Sequence, residues 1–113
     1  MHELSVVESM MSVVLRHAEA NHATSVSKIN LVLGEASSVM EDPVRFYFEI
    51  LSKDTVAKGA ELNIKRTPLV ARCDDCGKDF KVVEFDFTCP ECKGSKTEII
   101  SGREFQVESI EIN

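Results

Sequence analysis

The sequence has no tryptophan and a single tyrosine, Tyr47. It has no cysteine outside one short segment. No apolar run approaches the roughly 18 residues that a membrane span needs, so no membrane contact is expected. No basic N-terminal region leads into an apolar stretch and a small-residue cleavage site, so no secretory signal is expected and the compartment is read as the cytoplasm. No G-x-x-x-x-G-K-[ST] run exists to cradle phosphates. No Ser–His–acid or paired-carboxylate arrangement stands out, which argues against an enzyme. Basic residues are in the minority, 13 Lys and Arg against 19 Asp and Glu, for a formal charge of −6. That balance disfavours nucleic acid, whose non-specific binding rests on neutralised phosphates. What is present is ordinary for a folded chain: 43% hydrophobic and 28% charged residues in a length of 113. This is one ordinary domain or two very small ones. A unit this small has a thin core and often needs a metal or disulfides to hold it.

The cysteines are Cys73, Cys76, Cys89 and Cys92, in the pattern C-D-D-C, twelve residues, C-P-E-C. Without a secretory signal the setting is reducing and disulfides are disfavoured. Paired C-x2-C spacing then reads as a tetrahedral thiolate metal site. A tight turn between two cysteines aims both sulfurs at one centre, and a glycine usually follows, where the backbone turns its N–H groups towards the sulfurs. Gly77 follows Cys76 directly and Gly94 follows Cys92 by two. Four cysteines leave no position for water or substrate, so the expected zinc is structural. A rubredoxin-like iron centre is the rival occupant, distinguishable by colour. A thioredoxin-type redox pair is disfavoured, because two pairs face each other without a βαβ context. Four deprotonated thiols around a divalent ion would lower the formal charge of −6 by a further two. Basic and acidic residues interleave from Lys65 to Arg103 and form no basic stripe.

Around this segment the patterning alternates between helix and strand. Leu4, Val7, Met11, Val14, Leu15 and Ala18 recur at helical spacing, with Ser5 and Glu8 at capping-box distance and Asn21-His22 at the expected stop. Ser27 to Gly34 reads as a strand with Ile29, Leu31 and Leu33 on one face. Asp42-Pro43 starts a second helix, with Asp42 as the cap and Val44, Tyr47, Phe48 and Leu51 as its buried stripe. Lys58-Gly59 marks a turn, and Ala60 to Thr67 is a strand that Pro68 ends. The last strand, Glu104 to Ile112, is out of phase with itself: Phe105 and Val107 alternate, as do Ile110 and Ile112, and a bulge near Glu108-Ser109 would reconcile them. A lone terminal strand needs a sheet to join. The expected fold is therefore α+β: a small three-stranded sheet with two helices (residues 1–68 and 103–113) carrying an inserted four-cysteine zinc ribbon (69–102).

The opening Met1-His2-Glu3 has chemistry of its own if the chain starts there. Methionine is usually trimmed only before a small residue, so Met1 should remain. The Met1 amine, the deprotonated His2 amide and the His2 Nδ1 then form fused five- and six-membered chelate rings with three nearly coplanar nitrogens. Nickel(II) and copper(II) favour such tetragonal nitrogen fields, whereas zinc prefers tetrahedral ones. Glu3, or another acid brought near, could complete the site. H-E-x-x-H is absent, since Val6 stands where the second histidine would be. His17 and His22 read as surface or helix-end residues.

Taken together, Met1-His2-Glu3-Leu4-Ser5-Val6-Val7, Leu33-Gly34-Glu35 and C-x2-C-x12-C-x2-C closely resemble the HypA family over essentially the whole chain. The resemblance implies a nickel metallochaperone, not an enzyme, with Ni(2+) as exchangeable cargo and Zn(2+) as a structural ion. It implies nickel ligation by His2 with Glu3, and zinc ligation by Cys73, Cys76, Cys89 and Cys92. An acid after the Gly-Glu loop, Glu41 or Asp42, matches an auxiliary nickel ligand of some members. The partners it implies are the GTPase HypB, the [NiFe]-hydrogenase large-subunit precursor and, in some organisms, urease accessory proteins. The alternative reading is a zinc-ribbon protein-interaction module with no nickel role.

Overall fold

The computed structural model describes residues 3–113. In chain order these form α1 (Glu3–Ala20), β1 (Val26–Gly34), α2 (Glu41–Ser52), β2 (Glu61–Thr67), β3 (Val70–Cys73), β4 (Asp79–Lys81), β5 (Thr97–Ser101) and β6 (Phe105–Ile112). The strands make two three-stranded sheets, ordered β2-β1-β6 and β4-β3-β5. The terminal strand thus joins the first sheet, antiparallel to β1, and the cysteine segment is inserted ahead of it. β1 and β2 run parallel, which requires a crossover, and α2 supplies it.

The expected phase slip in β6 is a bulge. Asn30 pairs with Ser109 and Leu31 with Val107, leaving Glu108 as the extra residue. The bulge lets Phe105, Val107 and Ile110 all turn to the core, where they pack beside Ile29, Leu31 and Leu62. Over them lie Val7, Met11, Val14 and Ala18 of α1 and Val44 and Phe48 of α2. The other face of the sheet is polar. Lys28 Nζ sits 3.3 Å from Glu61 Oε2 and 3.7 Å from Glu111 Oε2. Asn63 Nδ2 donates to Asn30 Oδ1, and Asn30 Nδ2 donates to Ser109 Oγ.

Two local expectations change, the buried stripe of α1 and the cap of α2, while the stop of α1 falls at Asn21-His22 as expected. Leu4, placed in the stripe of α1, is 45% exposed, and Met10 on the opposite shoulder of that stripe is buried instead. α1 ends in a Schellman motif: Ala23 N–H donates to Ala18 O and His22 N–H to Glu19 O, with His22 left-handed at φ 54°. Asp42 is not the cap of α2. The helix starts at Glu41 behind Met40, which has no capping side chain of its own. Pro43 still falls in the first turn, where its missing N–H costs nothing.

The second sheet rests on a small cluster of Leu69, Ala71 and Val82, flanked by Phe80, Phe87 and Ile99. Ala36, from the loop after β1, packs against the same cluster. That loop leaves the first sheet at a tight crossing of two backbones. Gly34 N–H donates to Glu104 O (2.7 Å), Glu35 N–H to Thr67 O (2.8 Å) and Ala36 N–H to Gly102 O (2.7 Å). The Glu104 carboxylate accepts from the Gly102 N–H and the Thr67 hydroxyl. A Cβ on Gly34 would lie 2.1 Å from the Gly102 carbonyl carbon, which is backbone and cannot step aside. Gly34→Ala is expected to cost about 2 kcal/mol of stability, to be read from urea unfolding; an unchanged midpoint would mean the crossing is not packed as described.

The turn from Val83 to Asp86 is a type I′ turn built from unusual residues. Asp86 N–H donates to Val83 O (3.0 Å), and Glu84 and Phe85 both have positive φ, 54° and 58°. That conformation favours Asn-Gly. Phe85 is 72% exposed and packs too little to compensate. Phe85→Gly should raise stability by about 1 kcal/mol, seen as a higher melting temperature of the metal-loaded chain.

Candidate metal centre

Cys73 ends β3 and Cys76 follows it by a tight turn; Cys89 and Cys92 repeat that turn later in the module. The two knuckles are built alike. Gly77 N–H donates to Cys73 O (2.8 Å), and Lys93 N–H to Cys89 O (2.9 Å). Cys73 N–H donates to Lys78 O (2.9 Å), and Cys89 N–H to Gly94 O (3.0 Å). The left-handed position after each pair is Gly77 at φ 72° and Lys93 at φ 62°. Gly94 therefore does not do in the second knuckle what Gly77 does in the first. It is needed for room: a Cβ there would lie 2.9 Å from Asp75 Oδ2 and 3.3 Å from Cys92 Sγ.

The knuckles face each other. Cys73 Sγ lies 3.4 Å from Cys92 Sγ and Cys76 Sγ 3.6 Å from Cys89 Sγ, and all four sulfurs lie within 4.8 Å of one another. A disulfide would need about 2.05 Å, and the four cysteines are free. Four thiolates at about 2.3 Å from one ion stand about 3.8 Å apart, so the donor set fits a tetrahedral thiophilic cation. Cys73 and Cys89 are buried while Cys76 and Cys92 reach the surface.

Backbone amides are aimed at the sulfurs, as in the expected knuckle. The Cys92 N–H first, and the Glu91 N–H after it, bring the Cys89 thiol down to about 7. The Gly94 N–H favours a thiolate at Cys92, but its hydrogen bond with Cys73 and its burial prevail and hold that thiol at about 12. The Cys76 thiol is also raised: the Lys78 N–H pulls it down, and burial with the neighbouring thiols outweighs that pull. One sulfur gives up its proton readily and another with difficulty, because the packed, partly desolvated thiols hold protons between them. A cation with two positive charges at the centre removes that conflict. Arg72 at the edge of the cluster holds Asp79 through Nε at 2.8 Å, and that hydrogen bond keeps the Asp79 carboxyl below its ordinary range.

The expected nickel end lies elsewhere. Met1 and His2 lie outside the described residues, so the chelate is met only through Glu3. Glu3 opens α1 with a buried side chain, and its Oε2 accepts the Met40 N–H at 3.1 Å. The carboxylate thereby caps α2 from another helix, which is why Met40 needs no cap of its own and Asp42 is displaced from that role. Sequence spacing carries no trace of a contact between residues 37 apart. The two acids expected as auxiliary ligands, Glu41 and Asp42, occupy the first turn of α2, directly after Met40. Glu41 is already engaged, with Arg45 Nε at 3.2 Å and an Arg66 nitrogen at 3.6 Å. Asp42 is exposed. All three carboxylates gather at a helix N-terminus, whose partial positive charge suits them without any metal. His17 and His22 are exposed.

A family profile described as hydrogenase/urease nickel incorporation, metallochaperone, hypA matches residues 1–112. The chain belongs to the HypA family. HypA is a family of metallochaperones for hydrogenase maturation, not of enzymes. A hydrogenase maturation factor HypA from Dehalococcoides mccartyi is 46% identical over 113 residues, covering 100% of this chain and 95% of that one. One from Caldanaerobacter subterraneus subsp. tengcongensis is 40% identical, covering 99% of each. The solution structure of the Ni metallochaperone HypA from Helicobacter pylori superposes with a TM-score of 0.73 at 30% identity, over 99% of this chain and 97% of that one. A second HypA solution structure gives 0.79 at 30% identity, over 100% and 97%. HypA membership bears out the resemblance drawn from the motifs, and the α+β fold with its four-cysteine centre agrees with it. Among the described residues no helix is long and apolar enough to cross a membrane.

Proposed function

We propose that the chain carries Ni(2+) at its N-terminus and releases it during maturation of [NiFe]-hydrogenase. The family match supports this reading because it starts at residue 1 and so includes the Met1–Glu3 segment. His2 is the principal nickel ligand. Met1 contributes its amine, and Glu3 stands beside them, held by Met40. Asp42 is the better auxiliary ligand of the two acids, because Glu41 is held by two guanidiniums. Zn(2+) occupies Cys73, Cys76, Cys89 and Cys92 and supplies the cross-link that folds residues 69–102 as a ribbon, while residues 1–68 with 103–113 form the nickel-binding unit. The carrier works in the cytoplasm with HypB and the hydrogenase large-subunit precursor, and hands nickel to urease accessory proteins where those are present.

Equilibrium dialysis of the zinc-loaded chain against dilute nickel tests this. Elemental analysis should find one nickel per chain besides one zinc. A zinc-ribbon interaction module would retain its zinc and take up no nickel.

A further inference from the structure

β6 is the margin of the first sheet: its ladder runs to β1, and among the described residues no strand lies beyond it. α1 lies along this margin without closing over it. Between them runs a groove in two joined stretches of about 610 and 320 Å3, which share Val13 and Val107. It extends from Ser5 to Asn21 on the helix and from Phe105 to Ile112 on the strand, so it is open along the whole of β6. Its floor is Val6, Met10, Val13, Phe105, Val107 and Ile110. An unpaired strand edge beside an apolar trough is the arrangement that accepts an added strand: the margin offers backbone hydrogen bonds, and the trough takes every second side chain.

The occupant can be narrowed. The groove wall carries one carboxylate, Glu108, pushed outward by the bulge, and no lysine or arginine lines it. Glu111 extends the acidic sign along the same strand, shared with Lys28 on the polar face. A second copy of the chain is a poor fit. Two β6 strands paired about a two-fold axis at their midpoint would bring the two Glu108 carboxylates together, which is how edge strands avoid pairing with themselves. The opposite edge is better defended: Arg45 of α2 donates to Leu62 O on β2 at 2.8 Å.

We propose that the α1–β6 groove is a docking site for an extended segment of a partner protein. That segment has apolar residues at alternate positions and a Lys or Arg placed to meet Glu108. It adds to the sheet as a fourth strand. The groove begins at Ser5, two residues after Glu3, so the docked segment runs up to the chain's N-terminal end. This goes beyond the nickel assignment and does not depend on it.

The test uses the zinc-loaded full chain and three fluorescein-labelled nonapeptides. The first alternates Val or Ile with Lys and Thr. The second has the same composition with its apolar residues clustered. The third replaces Lys by Glu. Fluorescence anisotropy should rise with the first peptide, and its amide shift changes should fall on residues 105–112 and the facing turns of α1. Glu108→Lys should weaken it about fivefold. Ser9→Gln, an exposed wall position that fills the groove without touching the core, should weaken it about tenfold. The assignment is overturned if none of the peptides binds or the clustered or acidic peptide binds equally well. Shifts that map elsewhere would overturn it too, as would pairing of the free chain with itself along β6.

Discussion

Removing the metal from the cysteine centre is expected to melt the second sheet and leave the first folded. The apolar cluster under β3, β4 and β5 has only Leu69, Ala71 and Val82 fully inside it, and its three strands are five residues or shorter. Four sulfurs within 4.8 Å of one another repel once ionised, so the knuckles oppose folding unless a cation joins them. Structural zinc sites of this kind contribute about 10–16 kcal/mol at neutral pH, far more than three buried side chains can. The first sheet has its own core of α1, α2 and β1 side chains and its own hydrogen bonds. Hydrogen exchange on chelator-treated protein should show amides from Val70 to Ser101 exchanging at open-chain rates while those of β1 stay protected. Continued protection in the second sheet without metal would defeat this account. The pH dependence has a definite sign. Binding requires four thiolates; the Cys89 thiol lies at about 7 and the Cys92 thiol at about 12, so protons compete more strongly as pH falls and the metal is lost towards acid.

His2→Ala is expected to lower nickel affinity by about a hundredfold or more, about 2.7 kcal/mol, and to leave zinc content unchanged. In the proposed chelate the imidazole would supply one nitrogen and close the six-membered ring that holds the deprotonated amide, so its loss would remove two donors in effect. Glu3 should behave differently. Its carboxylate caps α2 through the Met40 N–H, a charge-assisted bond worth about 1.5–3 kcal/mol. Glu3→Ala should therefore lower both stability and nickel affinity. Glu3→Gln keeps a neutral acceptor for Met40 and should recover most of the stability without the charge. If the Ala and Gln variants lose nickel alike while only Ala loses stability, Glu3 acts at the metal through its charge. Equal recovery of both by Gln would make it a positioning residue.

The sequence displayed most of this architecture because its strongest signals are local or periodic. The cysteine spacing carries the metal centre outright. The out-of-phase pairs Phe105/Val107 and Ile110/Ile112 carry the bulge at Glu108, because a strand with one buried face cannot change phase without an extra residue. What stayed hidden depends on partners far away in the chain. Asp42 beside Pro43 is a sound local cap, but the Glu3 carboxylate reaches Met40 from α1 and moves the helix start back to Glu41. The left-handed position in the second knuckle falls on Lys93, not on a glycine, and the type I′ turn at Glu84-Phe85 has neither Asn nor Gly. In both places the surrounding ladder and knuckle impose a conformation that the local residues do not advertise. The groove beside β6 is a product of packing, and no residue pattern in α1 or β6 alone announces it.

The central claim is that nickel is held by the N-terminus itself. Calorimetric nickel titration of the zinc-loaded chain should be compared with the same chain carrying a few extra residues ahead of Met1. That extension removes the Met1 amine and leaves the four cysteines, Glu3 and the fold in place. The account predicts that the native chain binds one nickel and that the extended chain loses most of that affinity at equal zinc content. Equal nickel affinity in the two would contradict it.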